Sequence, residues 1–167
     1  IAAIPAREDP RDVLITRTGL FLDGLPQGAK IGTSSPRRRA QLMYLRPDLA
    51  VSDIRGNLDT RIRKLYETDL DGIILAAAGL KRLVGAEKIT EYFSIDRMVP
   101  AVGQGALGIE THEDALELKE LLSAINDHDS ETEVIAERAV LRGLGGGCQV
   151  PIGANARLND GALSLIG

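Results

Sequence analysis

The sequence predicts an α/β fold, and three observations carry that reading. Short apolar runs alternate with helix-period segments through residues 12–83. The run at 71–76 is almost continuously apolar, the kind of strand buried on both faces of a parallel sheet. Serine- and glycine-marked junctions fall where a strand hands over to a helix. Strand–helix–strand–helix–strand order argues for an α/β layer with right-handed crossovers.

In chain order, residues 12–16 (DVLIT) read as a strand, 24–28 as a loop and 30–33 as a second strand. Ser34, Ser35 and Pro36 then open a helix, serine at the N-cap and proline at the first helical position. It runs from Arg37 to Leu45, where Arg46-Pro47 stops it. Residues 49–54 form a strand. The helix at 57–67 follows, with Leu58, Ile62 and Leu65 on one face. The apolar strand at 71–76 leads into a short helix at 77–83. After Pro100, residues 102–110 read as a glycine-rich, extended crossing segment. Helices are expected at 114–125 and 130–144, the second with Glu131 and Glu133 in its first turn, where the macrodipole favours acids. That helix runs into Gly143-Leu144-Gly145-Gly146-Gly147-Cys148-Gln149-Val150-Pro151, and a β-rich region begins at 150. The chain starts Ile1-Ala2-Ala3-Ile4-Pro5 and stops soon after an Asn159-Asp160-Gly161 hairpin signal. Both ends read as interior, so a fragment of a longer protein is expected.

Composition narrows the function. At 44% hydrophobic and 26% charged, the 167 residues sit at the globular average. No apolar run approaches the ~20 residues that span a bilayer, so no membrane partner is expected. Aromatics are 3% with no tryptophan, which argues against a base-stacking nucleic-acid platform. The single cysteine excludes an intrachain disulfide framework and is compatible with a reducing cytosol. His112 and His128 are isolated and the thiol has no partner cysteine, so no metal site is expected. No G-x-S-x-G nucleophile elbow is present. Gly103-Gln104-Gly105-Ala106-Leu107-Gly108 fits the dinucleotide pattern G-x-G-x-x-G, but β-like residues follow where a helix should open, so a hinge or tight crossing is the favoured reading.

Two features remain. Cys148 sits on a glycine run stiffened by Pro151, and the loop alone leaves open whether it is a buried structural cysteine or a reactive thiol. Net charge is −4, yet residues 30–64 carry nine bases against three acids, leaving −10 for the rest. A basic island in an acidic chain points to a local anion site. For Arg39, Arg46 and Arg63 a solvated helix face is preferred. Thr33, Ser34 and Ser35 place hydroxyls and N–H groups at a helix start, and Arg37 and Arg38 occupy a first turn where arginine is unfavourable unless an anion accompanies it. Arg55, Arg61 and Arg82 flank the next junctions. Guanidiniums pair carboxylates bidentately, so the array suits a ligand bearing several carboxylates; phosphates also fit on charge alone.

Five ordered motifs then carry a resemblance. They are Ile31-Gly32-Thr33-Ser34-Ser35-Pro36-Arg37-Arg38, Ile54-Arg55-Gly56-Asn57-Leu58-Asp59-Thr60-Arg61, Ala78-Gly79-Leu80-Lys81-Arg82, Val102-Gly103-Gln104-Gly105-Ala106 and Gly146-Gly147-Cys148-Gln149-Val150-Pro151. Together, and from Arg7-Glu8-Asp9-Pro10-Arg11-Asp12 onward, they resemble the porphobilinogen deaminase (hydroxymethylbilane synthase) family. The resemblance implies a dipyrromethane cofactor held by a thioether on Cys148, with Thr33, Ser35, Arg37 and Arg38 at its carboxylates. It implies Arg55, Arg61 and Arg82 at the acetate and propionate groups of porphobilinogen and the growing chain, and Gln104 near the interdomain crossing. The implied activity is stepwise condensation of four porphobilinogens, with loss of ammonia, to linear hydroxymethylbilane.

The fold it implies has periplasmic-binding-protein-like domains with a hinge crossing, followed by the start of an α+β C-terminal domain. Residues 1–10 would end domain 1, 11–100 would form domain 2, 101–126 would return to domain 1, and 127–167 would begin domain 3. A monomer in the cytoplasm is expected, with a plastid also open. Two other classes stand beside this reading: a periplasmic-binding-protein-type module that binds anions without chemistry, and, more remotely, a nucleic-acid binder using the basic segment.

One departure matters. The family's catalytic aspartate lies in an S-x-K-D-x-P motif that these residues do not contain. A carboxylate that stabilises positive charge on a reacting pyrrole cannot be replaced by arginine. These 167 residues alone are therefore expected to release no ammonia from porphobilinogen, and turnover above a boiled control would refute that.

Overall fold

A computed structural model of the chain describes residues 1–146 and 150–167. Cys148, the thiol singled out from the sequence, lies outside the described residues. The first part is a five-stranded sheet in the order β3-β2-β4-β1-β5. Its strands are β1 (Asp12–Thr16), β2 (Lys30–Gly32), β3 (Ala50–Ser52), β4 (Gly72–Ala76) and β5 (Glu91–Tyr92). The helices α1 (Pro36–Leu45), α2 (Leu58–Glu67) and α3 (Ala77–Leu83) follow β2, β3 and β4. Beyond the sheet come α4 (Leu116–Ser123), α5 (His128–Gly143) and a hairpin of β6 (Asn155–Asn159) and β7 (Ala162–Ile166).

Local chemistry sets the helix starts. Ser35 caps α1 by accepting from the Arg38 N–H at 3.4 Å, with Pro36 at the first position. Asn57 caps α2 through the Thr60 N–H at 2.9 Å, and Asp127 caps α5 through the Ser130 N–H at 2.8 Å. Helix α5 thus begins at His128, two residues before the expected start. Its first-turn acids are Asp129 and Glu131; Glu133 lies farther along and is buried. Helix α4 is shorter at both ends than the 114–125 expected.

The central strands are buried on both faces, as their composition requires. Val13, Ile15, Ile73 and Leu75 face Ile62 and Leu65 of α2 and Leu80 of α3. Leu14, Ile31 and Ile74 face Leu42 of α1, together with Phe93 and Met98. Each such side chain contributes about 1.5–3 kcal/mol on burial.

The sheet is mixed, which corrects the parallel expectation. Strand β2 runs parallel to β3 and β4, but β1 runs antiparallel to both β4 and β5. An apolar run reports burial on two faces, and a central strand meets that condition whichever way its neighbour runs. In register, Asp12 at the start of β1 stands opposite Ala76 at the end of β4. The first residue of β1 therefore lies at the edge where β2, β3 and β4 release their helices.

The glycine-rich crossing turns at 102–105 rather than running extended throughout. Residues 106–108 are irregular, and Ile109 bridges Ala3 in antiparallel fashion, so no helix opens at Gly108 and the dinucleotide pattern lacks its second half. Asp127 N–H donates to the Ile4 carbonyl at 2.8 Å, fixing the start of α5 beside residues 1–4. The hairpin turns through Asp160 and Gly161 at φ 49° and 79°, as the Asn-Asp-Gly signal predicts.

Gly103 and Gly105 both take positive φ, at 71° and 88°. A Cβ on Gly103 would meet nothing within 4 Å, whereas one on Gly105 would lie 2.3 Å from the Glu8 carbonyl oxygen. In the full-length protein Gly103→Ala is expected to cost about 1 kcal/mol for its left-handed backbone. Gly105→Ala should cost clearly more, because the Glu8 backbone must also move. Melting temperatures of the two variants measured side by side test this; equal losses would refute it.

Candidate functional site

The sheet edge described above collects three of the sequence-predicted residues, Arg37, Arg38 and Gln104, around one carboxylate that sequence reasoning had passed over. Asp12 is fully buried. Its Oδ2 accepts from Arg37 Nη1 at 2.6 Å, and its Oδ1 accepts from Arg38 Nε at 3.0 Å. Arg38 Nη2 also lies 2.8 Å from Oδ1. Gln104 closes the cluster from the crossing turn. Its Nε2 donates to the Pro10 carbonyl at 2.6 Å and to Asp12 Oδ1 at 2.9 Å. Its Oε1 accepts from Arg37 Nη2 at 3.3 Å and Arg38 Nη2 at 3.5 Å. Donors on one side and acceptors on the other leave a single orientation for the amide.

Arg37 and Arg38 are 4% and 8% exposed, so neither sits on a solvated helix face. Part of the anion that their place in the first turn of α1 demands is internal: it is Asp12. Two guanidiniums against one carboxylate leave an excess of one positive charge, and buried charge is costly unless paired. Burial lowers the Arg37 pKa, opposed by the Asp12 carboxylate. Arg37 Nη1 also donates to the Val99 carbonyl at 2.6 Å, but its buried Nε has no hydrogen-bond partner among the described residues. A cavity of about 140 Å³ opens on this arginine, lined also by Ser35, Val102, Leu141, Val150 and Ile152. Val150 is two residues beyond Cys148.

The other predicted residues divide. Thr33 is buried and its hydroxyl accepts from the Ser35 N–H at 3.3 Å. Ser34 Oγ donates to the Ile54 carbonyl and accepts from the Ile54 N–H, stitching the β2–α1 junction to the β3–α2 junction where Arg55 and Arg61 stand. Arg55 is exposed; Arg61 is half-buried and donates to the Gly56 carbonyl at 2.8 Å. Arg82 is exposed and reaches the Gly105 carbonyl at 3.2 Å, one residue past Gln104. Of the three arginines read as solvated, Arg63 is exposed, Arg39 is half-buried and donates to the Val51 carbonyl and to Asp53, and Arg46 is more enclosed still. It donates to the Leu22 and Leu25 carbonyls and pairs Asp48, holding the loop before β2.

A second buried cluster adjoins the first and was also missed. Glu137, fully buried, takes both Arg7 Nη groups at 2.7 and 3.1 Å, the Gly103 N–H at 2.6 Å and the Ala156 N–H at 2.8 Å. Glu133 accepts from Leu158 N–H at 3.0 Å and lies 3.5 Å from Arg7. Arg7 Nε donates to the Gln104 carbonyl at 3.0 Å. The only available signal was the charge density of Arg7-Glu8-Asp9-Pro10-Arg11-Asp12, which does not say which charges go inside. Among the described residues no three His, Cys, Asp or Glu side chains are grouped to hold a metal, and no helix is long and apolar enough to cross a membrane.

Comparison with known proteins agrees with the motifs. Residues 1–120 match the family model described as porphobilinogen deaminase, dipyromethane cofactor binding domain, and residues 131–167 match that of the C-terminal domain. The porphobilinogen deaminase of Syntrophotalea carbinolica is 53% identical over 167 residues, covering 100% of this chain and 53% of the relative. That of Shouchella clausii is 54% identical over 169 residues, covering 100% and 54%. The chain thus spans about half the length of the curated relatives it matches. Among solved structures, a Salmonella typhimurium periplasmic binding protein with high arginine specificity aligns with a TM-score of 0.45 at 19% identity, over 83% of this chain and 62% of that one.

One acid beside the crossing sets a pH dependence. Burial pushes the Asp9 carboxyl up, but Arg11, through its side chain and its backbone N–H, and then Lys81 pull it down to about 2 from an ordinary 3.8. A depressed carboxylate stabilises the fold above its unfolded pKa and stops doing so as pH falls through the folded one. Melting temperatures of the full-length protein and Asp9→Asn are therefore expected to differ above about pH 4 and to converge towards pH 2. A gap independent of pH would refute the assignment.

Proposed function

The chain belongs to the porphobilinogen deaminase family, and from that premise we propose that the full-length protein is a hydroxymethylbilane synthase. It joins four porphobilinogens head to tail, releases ammonia at each addition, and hydrolyses off linear hydroxymethylbilane for tetrapyrrole synthesis. The observation that carries the reading is the excess guanidinium charge at Arg37 and Arg38, with a buried unpartnered Nε, beside a cavity that Val150 also lines.

A dipyrromethane fits these residues. It bears several carboxylates, the site is one negative charge short, and the cavity is lined by Val150, which follows Cys148 by two residues in the sequence. Once bound through Cys148, the group supplies a tethered primer on which the product is extended. Arg37 and Arg38 hold its carboxylates, Arg37 through the Nε–H that has no other partner. Ser35 and Thr33 add hydroxyl donors, since each hydroxyl oxygen only accepts within the junction. Arg55, Arg61 and Arg82 meet the carboxylates of incoming porphobilinogen and of the lengthening chain. They are more open to solvent and, where bonded, hold only backbone carbonyls, so they are free to turn to a ligand. Gln104 joins the crossing turn to this site. The family's catalytic carboxylate is not among these residues.

The same reading gives periplasmic-binding-protein-like domains with a hinge at the crossing. Residues 1–10 and 101–126 would belong to domain 1, an assignment supported by the Ala3–Ile109 bridge. Residues 11–100, holding the whole five-stranded sheet, would be domain 2, and 127–167 would open an α+β domain 3. A monomeric, cytosolic enzyme belongs to the same proposal.

Intact mass of the full-length protein decides the central point. The wild type is expected to be heavier than its sequence by the dipyrromethane adduct and to turn over porphobilinogen. Cys148→Ser should have the bare mass and form no hydroxymethylbilane. A bare cysteine in an active enzyme would overturn the proposal. Full ligand affinity and function in Cys148→Ser would favour a non-catalytic anion-binding module.

A further inference from the structure

We propose that Asp12 is a positioning residue: its carboxylate holds Arg37 and Arg38 in the conformation that receives the carboxylates of the tethered group. This rests on the reading of Arg37 and Arg38 as the cofactor's anchors and goes beyond it, because Asp12 touches no ligand itself.

Geometry singles Asp12 out. It is fully buried at the first position of an interior strand, followed directly by Val13, Leu14 and Ile15. A lone carboxylate there would be prohibitively costly without partners. Its two oxygens divide the work, Oδ2 to Arg37 and Oδ1 to Arg38 and Gln104. Gln104 repeats the division by accepting from both guanidiniums. Neither arginine is left a free rotamer, and Arg37 is turned so that its Nε–H remains without a partner. An unpinned arginine must lose rotamer entropy when it closes on a ligand. Here that loss is incurred during folding, so binding proceeds without it. The charge count points the same way: Asp12 neutralises one guanidinium, and the remaining positive charge is left for the ligand. Asparagine at this position would keep the shape, remove the charge and offer one acceptor oxygen for two arginines. Glutamate would keep the charge but set it one methylene too far forward.

The test follows adduct formation on Cys148 in the full-length protein, prepared without cofactor and exposed to a range of porphobilinogen concentrations, with intact mass as the readout. Circular dichroism first establishes that each variant is folded. Asp12→Asn is expected to raise the half-saturating concentration about ten- to a hundredfold, the scale of a lost hydrogen bond to a charged group. The final extent of loading at saturation should be unchanged, because weaker uniform binding shifts the concentration dependence alone. Asp12→Glu should fall between Asn and wild type. If Asp12→Asn does not fold, Asp12→Glu decides by the same shift. An unchanged half-saturating concentration in a folded variant overturns the inference, and failure of both variants to fold makes Asp12 purely structural and overturns it too. A wild type that gains no adduct refutes the cofactor reading itself, which separates the two failures.

Discussion

The rest of the structure depends on one buried carboxylate. Asp12 sits where an antiparallel strand begins beside the ends of parallel ones, and it holds two arginines and a glutamine that come from α1 and from the crossing turn. Ligands in open α/β sheets bind beyond the carboxyl ends of the strands. An all-parallel sheet would present only loops and helix starts at that edge. Reversing β1 brings a strand residue there, with the rigidity of a central ladder behind it. The mixed topology and the proposed anion site are therefore one feature: the strand reversal is what places an acid among the arginines.

The second cluster has the opposite imbalance. Around Arg7 two carboxylates, Glu133 and Glu137, face one guanidinium; around Asp12 two guanidiniums face one carboxylate. The Gly103–Gln104 peptide joins them, its N–H on Glu137, its carbonyl on Arg7 and its side chain on Asp12. The crossing turn is thereby the electrostatic seam between the sheet and the helix–hairpin unit. Gly105 must be glycine at this seam because the Glu8 backbone approaches it so closely.

Much of this architecture was legible in the sequence where local chemistry decides. Ser35-Pro36 and Asn57 announced their helices, Asn159-Asp160-Gly161 announced its hairpin, and the apolar runs gave four of the five sheet strands. Strand direction was not legible, since two-sided burial looks the same in parallel and mixed sheets. Two-residue β5 is too short for any period to register. In the candidate site, the arginine motifs marked the strand-to-helix junctions, but the burial of Arg37 and Arg38 and the half-burial of Arg46 were hidden. A charged side chain goes inside only when distant partners meet it, and Asp12, Gln104 and the Leu22 carbonyl are far off in sequence or on another element. Glu133 was obscured for the same reason, since an acid near a helix start reads as a dipole partner until the chain from 155 to 158 folds back onto it and onto Glu137.

The two sets of arginines then differ in mechanical character, and the difference suits the proposed chemistry. Arg37 and Arg38 are buried and bound on several sides, so their geometry is settled before any ligand arrives. Arg82, Arg61 and Arg55 lie nearer solvent, the first two each holding a single backbone carbonyl. A tethered group that stays in place through repeated additions suits fixed partners, whose ordering cost is met before it binds. A chain that lengthens by one pyrrole at a time presents its carboxylates at changing positions, which rigid partners could not follow. Long side chains at the loop edge can. The division between pinned and mobile guanidiniums follows from burial alone, and burial in turn follows from which arginines reach Asp12.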